Sequence, residues 1–322
     1  MYFILRLLTA ALSLALVALP ALAQPAYPSK PVRFMVGAPA GGSNDIFARA
    51  ISQRLSEALG QPVIVDNRPG ASQMIAADLT AKAPPDGHTL YITSTTYTTG
   101  AALMAKLPFD PVNDLAGVTM IARGPMVLVV HPSVPARTVK ELIAVARARP
   151  GQLNYTSSGV GGINHFGVEV LKSMANIDMV HVPHKGMAPA ITDLMAGQVQ
   201  VLLVSLTAVE AQMQSGRLRA IGVSSPQRSS FLPNLPAIAE TLPGYDNDLW
   251  WGVFVAAKTP RPIVDRLNTE IHKTMTTEEM KKRFADFGAI AAPTTPDGFN
   301  TVVKNEIAKW TKVIKTANIK PE

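Results

Sequence analysis

The segment Val36-Gly37-Ala38-Pro39-Ala40-Gly41-Gly42-Ser43-Asn44-Asp45 joins an apolar run at residues 32–36 to a helical pattern at residues 46–59. A strand that turns through small residues straight into a helix leaves the first backbone N–H groups of that helix unpaired, with the positive end of the helix dipole behind them. That arrangement holds anions. Gly41 and Gly42 carry no Cβ to keep a carboxylate or phosphate from the backbone, and Ser43 or Asp45 can cap the helix. An ordinary βα turn uses the same residue types, so one such turn decides little. The arrangement comes twice, however. Asn154-Tyr155-Thr156-Ser157 reads as a strand, Ser158-Gly159-Val160-Gly161-Gly162 as a second small-residue turn, and residues 163–175 as the helix after it. Two strand-to-helix turns, one per domain, are what a two-domain clamp around a dianion needs.

Other residues allow other chemistry. Ser157 and Ser158 followed by His165 invite a hydrolase with a serine nucleophile and a histidine base. Neither serine sits in a G-x-S-x-G motif, and His165, in the first turn of its helix, is expected to reach the cleft as a hydrogen-bond donor instead. His165 and Glu169 share a helical face, which is half a metal site, but there is no third ligand nearby and no H-E-x-x-H. No metal or other cofactor is expected. Gly159-Val160-Gly161 imitates the start of a dinucleotide fingerprint, yet Gly162 directly follows Gly161 and no acidic residue closes a following strand, so nucleotide binding is rejected. His184-Lys185, at a predicted strand end, could bring positive charge to a carboxylate or form a solvated loop pair. Ser94-Thr95-Thr96-Tyr97-Thr98-Thr99 follows another strand, at the edge where open α/β sheets bind ligands, and reads equally as a solvated loop. Trp250-Trp251 begin a strand whose alternation sends one ring inward and one outward, with core packing the default reading and a cleft wall the alternative. Asp66, Asn67 and Arg68 suit a structural salt link or turn cap.

The elements that must position these residues follow from the hydrophobic spacing. Residues 32–36 and 62–66 read as short buried strands around the helix carrying Phe47, Ile51, Leu55 and Leu59, which is a parallel βαβ unit. A helix at 74–83, a Pro-Pro-Asp-Gly turn and a strand at 89–93 continue it. Two β-like runs, 115–122 and 126–130, are broken by Arg123-Gly124-Pro125, where the chain first crosses between domains. Thr138-Val139-Lys140-Glu141 is a capping box opening a helix. After the second turn come a strand at 179–182, a helix at 188–196, strands at 199–204 and 218–224, and a Pro-rich connection to the return strand at 249–255. The end of the chain is helical. The fold class is α/β, each domain a mainly parallel sheet flanked by helices, with residues 24–124 and 249–322 in one domain and 125–248 in the other.

Residues 1–23 read as a cleaved secretory signal: Arg6 carries the one charge, an apolar run follows, and Ala21-Leu22-Ala23 is an A-x-A site. The chain has no cysteine, which excludes disulfides, a thiolate nucleophile and the acylated cysteine of a lipoprotein anchor. The formal net charge is +7, with Arg6 contributing one unit. The basic residues are scattered without interleaved aromatics, so no nucleic-acid partner is expected, while an anionic small molecule remains open. A periplasmic, monomeric protein fits these features.

In order along the chain stand Pro39-Ala40-Gly41-Gly42-x-x-Asp45, Asn67-Arg68-Pro69-Gly70, Pro85-Asp86-Gly87, Leu107-Pro108-Phe109-Asp110-Pro111, Asn154-Tyr155-Thr156-Ser157-Ser158-Gly159, His181-Val182-Pro183-His184-Lys185-Gly186 and Gly216-Arg217-Leu218-Arg219-Ala220. As an ordered set they resemble the tripartite tricarboxylate transporter receptors, the TctC or Bug family, over nearly the whole mature chain. The resemblance implies a type II periplasmic-binding-protein flytrap that is not an enzyme. Such a receptor closes on a small carboxylate and serves a membrane carrier pair of the TctA/TctB kind or a sensor kinase. It implies that the loop from Ala40 to Ser43 holds one carboxylate through backbone N–H groups, while the second turn and strand-end hydroxyls hold the other end. The candidate ligand-binding residues are therefore Ala40, Gly41, Gly42, Ser43, Asp45, Thr95, Thr96, Ser157, Ser158, Gly159, Gly161, His165, His184 and Ser205.

Four departures from the family pattern bear on the solute. Gly37-Ala38 stand where proline and an aromatic are usual, Ser72-Gln73 replace glycines, His184 replaces tyrosine, and Leu203-Val204-Ser205 lacks the common acidic residue. The expectation is a roomier pocket that prefers an acid without an amino group.

Overall fold

Apolar runs rich in Val, Ile and Leu make the strands, because branched side chains pack well on a pleated surface covered on both faces. Helical repeats of apolar residues between them make the covering layers. The computed structural model describes residues 27–104, 106–317 and 319; the expected signal, residues 1–23, lies outside them.

The first lobe starts with β1 (Val32–Val36), α1 (Ser43–Leu59), β2 (Val63–Asn67), α2 (Met74–Ala81), β3 (Thr89–Ser94), α3 (Thr96–Leu103) and β4 (Leu115–Gly124). The second lobe follows as β5 (Met126–Val130), α4 (Val139–Ala148), β6 (Asn154–Ser157), α5 (Ile163–Ala175), β7 (Val180–Pro183), α6 (Met187–Met195), β8 (Val201–Ser205), α7 (Leu206–Gln214) and β9 (Arg219–Val223). The chain then returns to the first lobe through β10 (Leu249–Ala256), α8 (Arg261–Met275), α9 (Glu278–Asp286), β11 (Ile290–Ala291) and α10 (Pro296–Ala317).

The two sheets have strand orders β11-β4-β10-β3-β1-β2 and β7-β6-β8-β5-β9. β1 is parallel to β2 and β3, and β6 is parallel to β7 and β8, while the strands at the crossing, β10 and β5, run antiparallel to their neighbours. Both small-residue turns therefore leave the carboxyl edges of parallel strands, where open α/β sheets take ligands.

α1 shows how sequence becomes packing. Phe47, Ile51 and Leu55 are buried on one face, each contributing about 1.5–3 kcal/mol. Gly60 ends the helix in the left-handed conformation, φ 68°, and returns its N–H to Ser56 O at 2.9 Å. One continuous cluster of buried apolar side chains runs from Phe34 and Val253 in the first lobe to Leu128 and Val201 in the second. Phe166 of α5 meets Trp310 of α10 across the lobes, with ring centroids 5.6 Å apart.

Two expectations need correction, and the tryptophan pair is settled between its two readings. β4 does not break before Arg123, because Arg123 and Gly124 pair with Trp250 and Leu249 of β10, leaving Pro125 alone between β4 and β5. Trp250 and Trp251 point to opposite faces and both are packed in the core, as the default reading has it: α10 covers one face, where Trp250 Nε1 donates to Glu306, and α1 covers the other, where Trp251 packs on Phe47. The threonine segment is no solvated loop. It forms α3, with Thr95, Thr98 and Thr99 buried and the Thr98 hydroxyl within hydrogen-bond distance of both Thr95 O and Glu306.

Candidate functional site

The two turns share their backbone. Gly41 and Gly161 take φ 82° and 83°, a conformation costly for any residue with a Cβ. Gly42 and Gly162 then cap α1 and α5 with φ/ψ of −73°/162° and −72°/155°. Each turn reads Gly-Gly-x-Asn, and the asparagines, Asn44 and Asn164, are buried. Their Nδ2 groups donate to Gln73 Oε1 at 2.8 Å and to Leu203 O at 2.7 Å, tying each helix start to its own lobe.

The residue after each asparagine closes the turn from behind. Asp45 Oδ2 accepts the Gly41 N–H at 2.9 Å, and His165 Nδ1 accepts the Gly161 N–H at 3.3 Å. Both of those amides are thus turned inward. The N–H groups of Ser43, Asn44 and Asp45 in one turn, and of Gly162, Ile163, Asn164 and His165 in the other, have no acceptor among the described residues. They are the groups able to hold an anion.

His165 does not reach outward as a donor, contrary to expectation. It is 5% exposed and stacks on His181, centroids 4.0 Å apart and planes within 8°. Tyr155 stacks on His181 in turn and donates to Glu169, which Lys172 pairs at 2.7 Å. Burial, aided by Lys172, lowers the His165 pKa to about 4, and burial with the neighbouring His165 lowers His181 to about 3. Both rings are neutral at pH 7, which lets His165 Nδ1 accept. At the first turn burial works to raise Asp45, but hydrogen bonds from Arg49 and the Gly41 N–H outweigh it and hold the carboxyl below its ordinary range.

Ser157 is buried, its hydroxyl spent on Gly159 O at 2.9 Å and His181 Nε2 at 2.7 Å. Ser158 is half-buried, its hydroxyl donating to Asn164 Oδ1 at 3.4 Å rather than to a His165 ring nitrogen, so the two form no hydrogen-bonded nucleophile–base pair. Gly159 donates to Ser157 Oγ at 3.2 Å. His184 is clamped between Thr156 Oγ1 at 2.8 Å and Asp193 at 2.7 Å. Thr95 is buried with its hydroxyl accepting the Trp250 N–H at 2.9 Å, whereas Thr96 and Ser205 are half-buried. Ala40, Gly41 and Ser43 are exposed, and Trp251 Nε1 donates to Ser43 Oγ at 3.2 Å.

One short segment adjoins both turns. Ala71–Gln73 forms a single turn of 3₁₀ helix between β2 and α2. Gln73 holds Asn44 of the first turn, and a Cβ placed on Gly161 of the second would lie 3.6 Å from Ser72 Oγ and 2.6 Å from Leu103 Cδ2. The lobes thus touch at Gly161. The space beside Gly37 is not vacant, since a Cβ there would come within 2.5 Å of Gln73 Cβ. The expected roomier pocket is filled on that side. A cavity of about 450 Å³ lies elsewhere, by the crossing strands toward β11 and β9, lined by Arg123, Pro125, Ser229, Phe231 and Ile290 among others. Among the described residues, no cluster of three or more His, Asp or Glu side chains could hold a metal ion, and no helix is long and apolar enough to cross a membrane.

Sequence reasoning did not place Asn44, Asn164 or His181 among the ligand-binding residues, and it noted Ser72 and Gln73 only as a departure from the family pattern that bears on the solute. The repeated Gly-Gly-x-Asn was the available signal for the asparagines. For His181 there was none, because its role depends on which ring it stacks against.

Comparisons with known proteins agree on one group. Residues 47–319 match the family described as TctC, tripartite tricarboxylate transporter family receptor. A Pseudomonas sp. (strain P51) protein described as the UPF0065 protein in the tcbD-tcbE intergenic region is 38% identical over 291 residues, 90% of this chain and 87% of that protein. Among solved structures, R. palustris Rpa4515 with adipate superposes with a TM-score of 0.83 at 36% identity, covering 92% of this chain and 100% of that one. MatC from Rhodopseudomonas palustris with bound malate gives 0.78 at 28% identity, covering 89% and 100%.

Proposed function

Since the chain belongs to the tripartite tricarboxylate transporter receptor family, and is a solute-binding receptor rather than an enzyme, we propose that it captures a small carboxylate between the two turns, in the periplasm, and passes it to a TctA/TctB-type membrane carrier pair. The observation that carries the reading is the pair of helix starts with unpaired N–H groups, on separate lobes, adjoining the same Ala71–Gln73 segment. One carboxylate sits on the amides of residues 43–45 and the other end of the solute on those of residues 162–165. Partial charges at two helix N-termini complement an anion without a lysine or arginine in contact. The binding of adipate and malate by related proteins supports a dicarboxylate or similar acid.

The acid has no amino group. Leu203 and Val204 are buried apolar residues, the carboxylates of Asp45 and Glu169 already hold Arg49 and Lys172, and Asp193 is turned to the His184 ring. An ammonium group would find no free acceptor charge and would lose its hydration.

The test is a thermal-shift and calorimetry screen of the mature protein against mono-, di- and aromatic carboxylates, with aspartate and glutamate included. Plain carboxylates raise Tm, by about 2.7 kcal/mol of added stability at a hundredfold excess over Kd. Tight binding of the amino acids alone overturns the solute assignment, and binding of none overturns the receptor site. Loss of uptake of the identified acid on deleting the gene, with uptake regained on restoring it, tests delivery.

A further inference from the structure

Ala71, Ser72 and Gln73 have φ of 46°, 49° and 75°, so three consecutive residues with side chains occupy the left-handed region. Each does so at a cost of about 1–2 kcal/mol that glycine would avoid. Strain of this kind persists where the surrounding structure enforces it, and it gathers at sites that touch ligands. Here the surroundings make room for the side chains. Gly37 leaves the space that Gln73 fills, and Gly100 does the same for Ser72, whose Cβ would lie 3.1 Å from an added methyl.

Gln73 is oriented by two bonds to its carbonyl oxygen. Oε1 accepts from Thr93 Oγ1 at 2.6 Å and from Asn44 Nδ2 at 2.8 Å. Its Nε2 has no acceptor among the described residues, and the side chain is half-buried. Ser72 is likewise half-buried, without a partner for its hydroxyl among the described residues, and faces Gly161 of the opposite lobe. Two hydrogen-bond donors therefore stand between the turns that would hold the ends of the solute.

We infer that Ser72 and Gln73 are specificity-determining residues that read the middle of the bound acid, selecting carboxylates with an oxygen acceptor on the chain over unsubstituted ones. The inference rests on the receptor reading above and deepens it. A hydroxyl, keto or second carboxylate oxygen between the turns accepts from Gln73 Nε2 and Ser72 Oγ. A bare methylene there leaves both donors desolvated and unpaired.

The experiment compares acids that differ by one oxygen, malate with succinate and 3-hydroxybutyrate with butyrate, by calorimetry on the unaltered protein, Ser72→Gly and Gln73→Glu. The unaltered protein binds the oxygenated member of a pair about tenfold tighter. Ser72→Gly, at a φ that glycine adopts freely, keeps or raises Tm and reduces that preference about two- to tenfold, the worth of one neutral hydrogen bond. Gln73→Glu keeps an acceptor for Thr93 and Asn44 but sets a negative charge where Nε2 was, so Tm holds while affinity for every carboxylate falls at least about tenfold. A merely structural role would leave the ratio within each pair unchanged, whatever happens to Tm. Unaltered affinities and ratios in both variants overturn the inference while leaving the receptor reading intact. Failure of every carboxylate to bind the unaltered protein overturns both.

Discussion

The turns after β1 and β6 have one backbone and two different supports. Behind the first, Asp45 is a charged carboxylate whose partner Arg49 is largely exposed; behind the second, His165 is a neutral ring inside a buried stack. The first turn is open, with nothing within 4 Å of a Cβ on Gly41, while a Cβ on Gly161 would strike Leu103 of the opposite lobe. The same turn geometry can therefore be supported by a hydrogen-bond acceptor of either charge type. What differs is sensitivity: the second turn depends on packing and on pH, the first on neither to the same degree.

Four measurements break or sharpen that contrast. The largest effect belongs to Gly42→Val, whose Cβ would lie 3.2 Å from Pro39 O and whose branched side chain would crowd the free amides. Calorimetry is expected to detect no binding, with circular dichroism unchanged; retained affinity would remove the first turn from the site. Next, Gly161→Ala is expected to lose more stability and affinity than Gly41→Ala. Both incur the left-handed penalty of about 1–2 kcal/mol, but only the former meets Leu103 at 2.6 Å. Equal losses in paired urea melts would contradict the asymmetry.

Acid comes third. His165 is held at about 4 in the fold, below its ordinary 6.5, so the unfolded chain binds more protons between these values and stability falls as pH falls through that window. The loss from this group is on the order of 2 kcal/mol at pH 5, and His181, lowered to about 3, adds to it in the same direction. Full stability is present above pH 6.5. His165→Asn should flatten the Tm profile between pH 6.5 and 4, whereas Asp45→Asn should leave that window unaltered. Asp45 titrates below its ordinary 3.8, so its share is lost only in stronger acid. The smallest effect is on affinity in Asp45→Asn: an amide oxygen can still accept from Gly41 N–H, and removing a charge already offset by Arg49 should tighten carboxylate binding only a few-fold.

Much of the molecule was readable from residue types. The βαβ order, both small-residue turns and a helix after each follow from local spacing, because a strand, a glycine turn and an amphipathic helix are each specified within a few residues. The first helix, expected from residue 46 with Ser43 or Asp45 as its cap, begins instead at Ser43 with Gly42 as its N-cap and no side-chain cap. Burial was harder to read. The threonines after β3 looked solvated since their hydroxyls are polar, yet a helix lets Thr98 and Thr99 return them to backbone carbonyls within one turn. Core packing was the default for Trp250, but residue types could not say what covers it: the cover is α10, which lies far along the chain.

The site divides along the same line. Sequence alone determined that two glycine turns precede helices and that no cysteine is present, since these are facts of composition and neighbouring residues. Only the tertiary structure decided that His165 is a buried acceptor, that Gln73 occupies the space Gly37 leaves, and that Ser72 faces Gly161. Each of those depends on which distant side chain arrives at a position, and a contact between lobes is set by the packing of whole sheets, which no local pattern records.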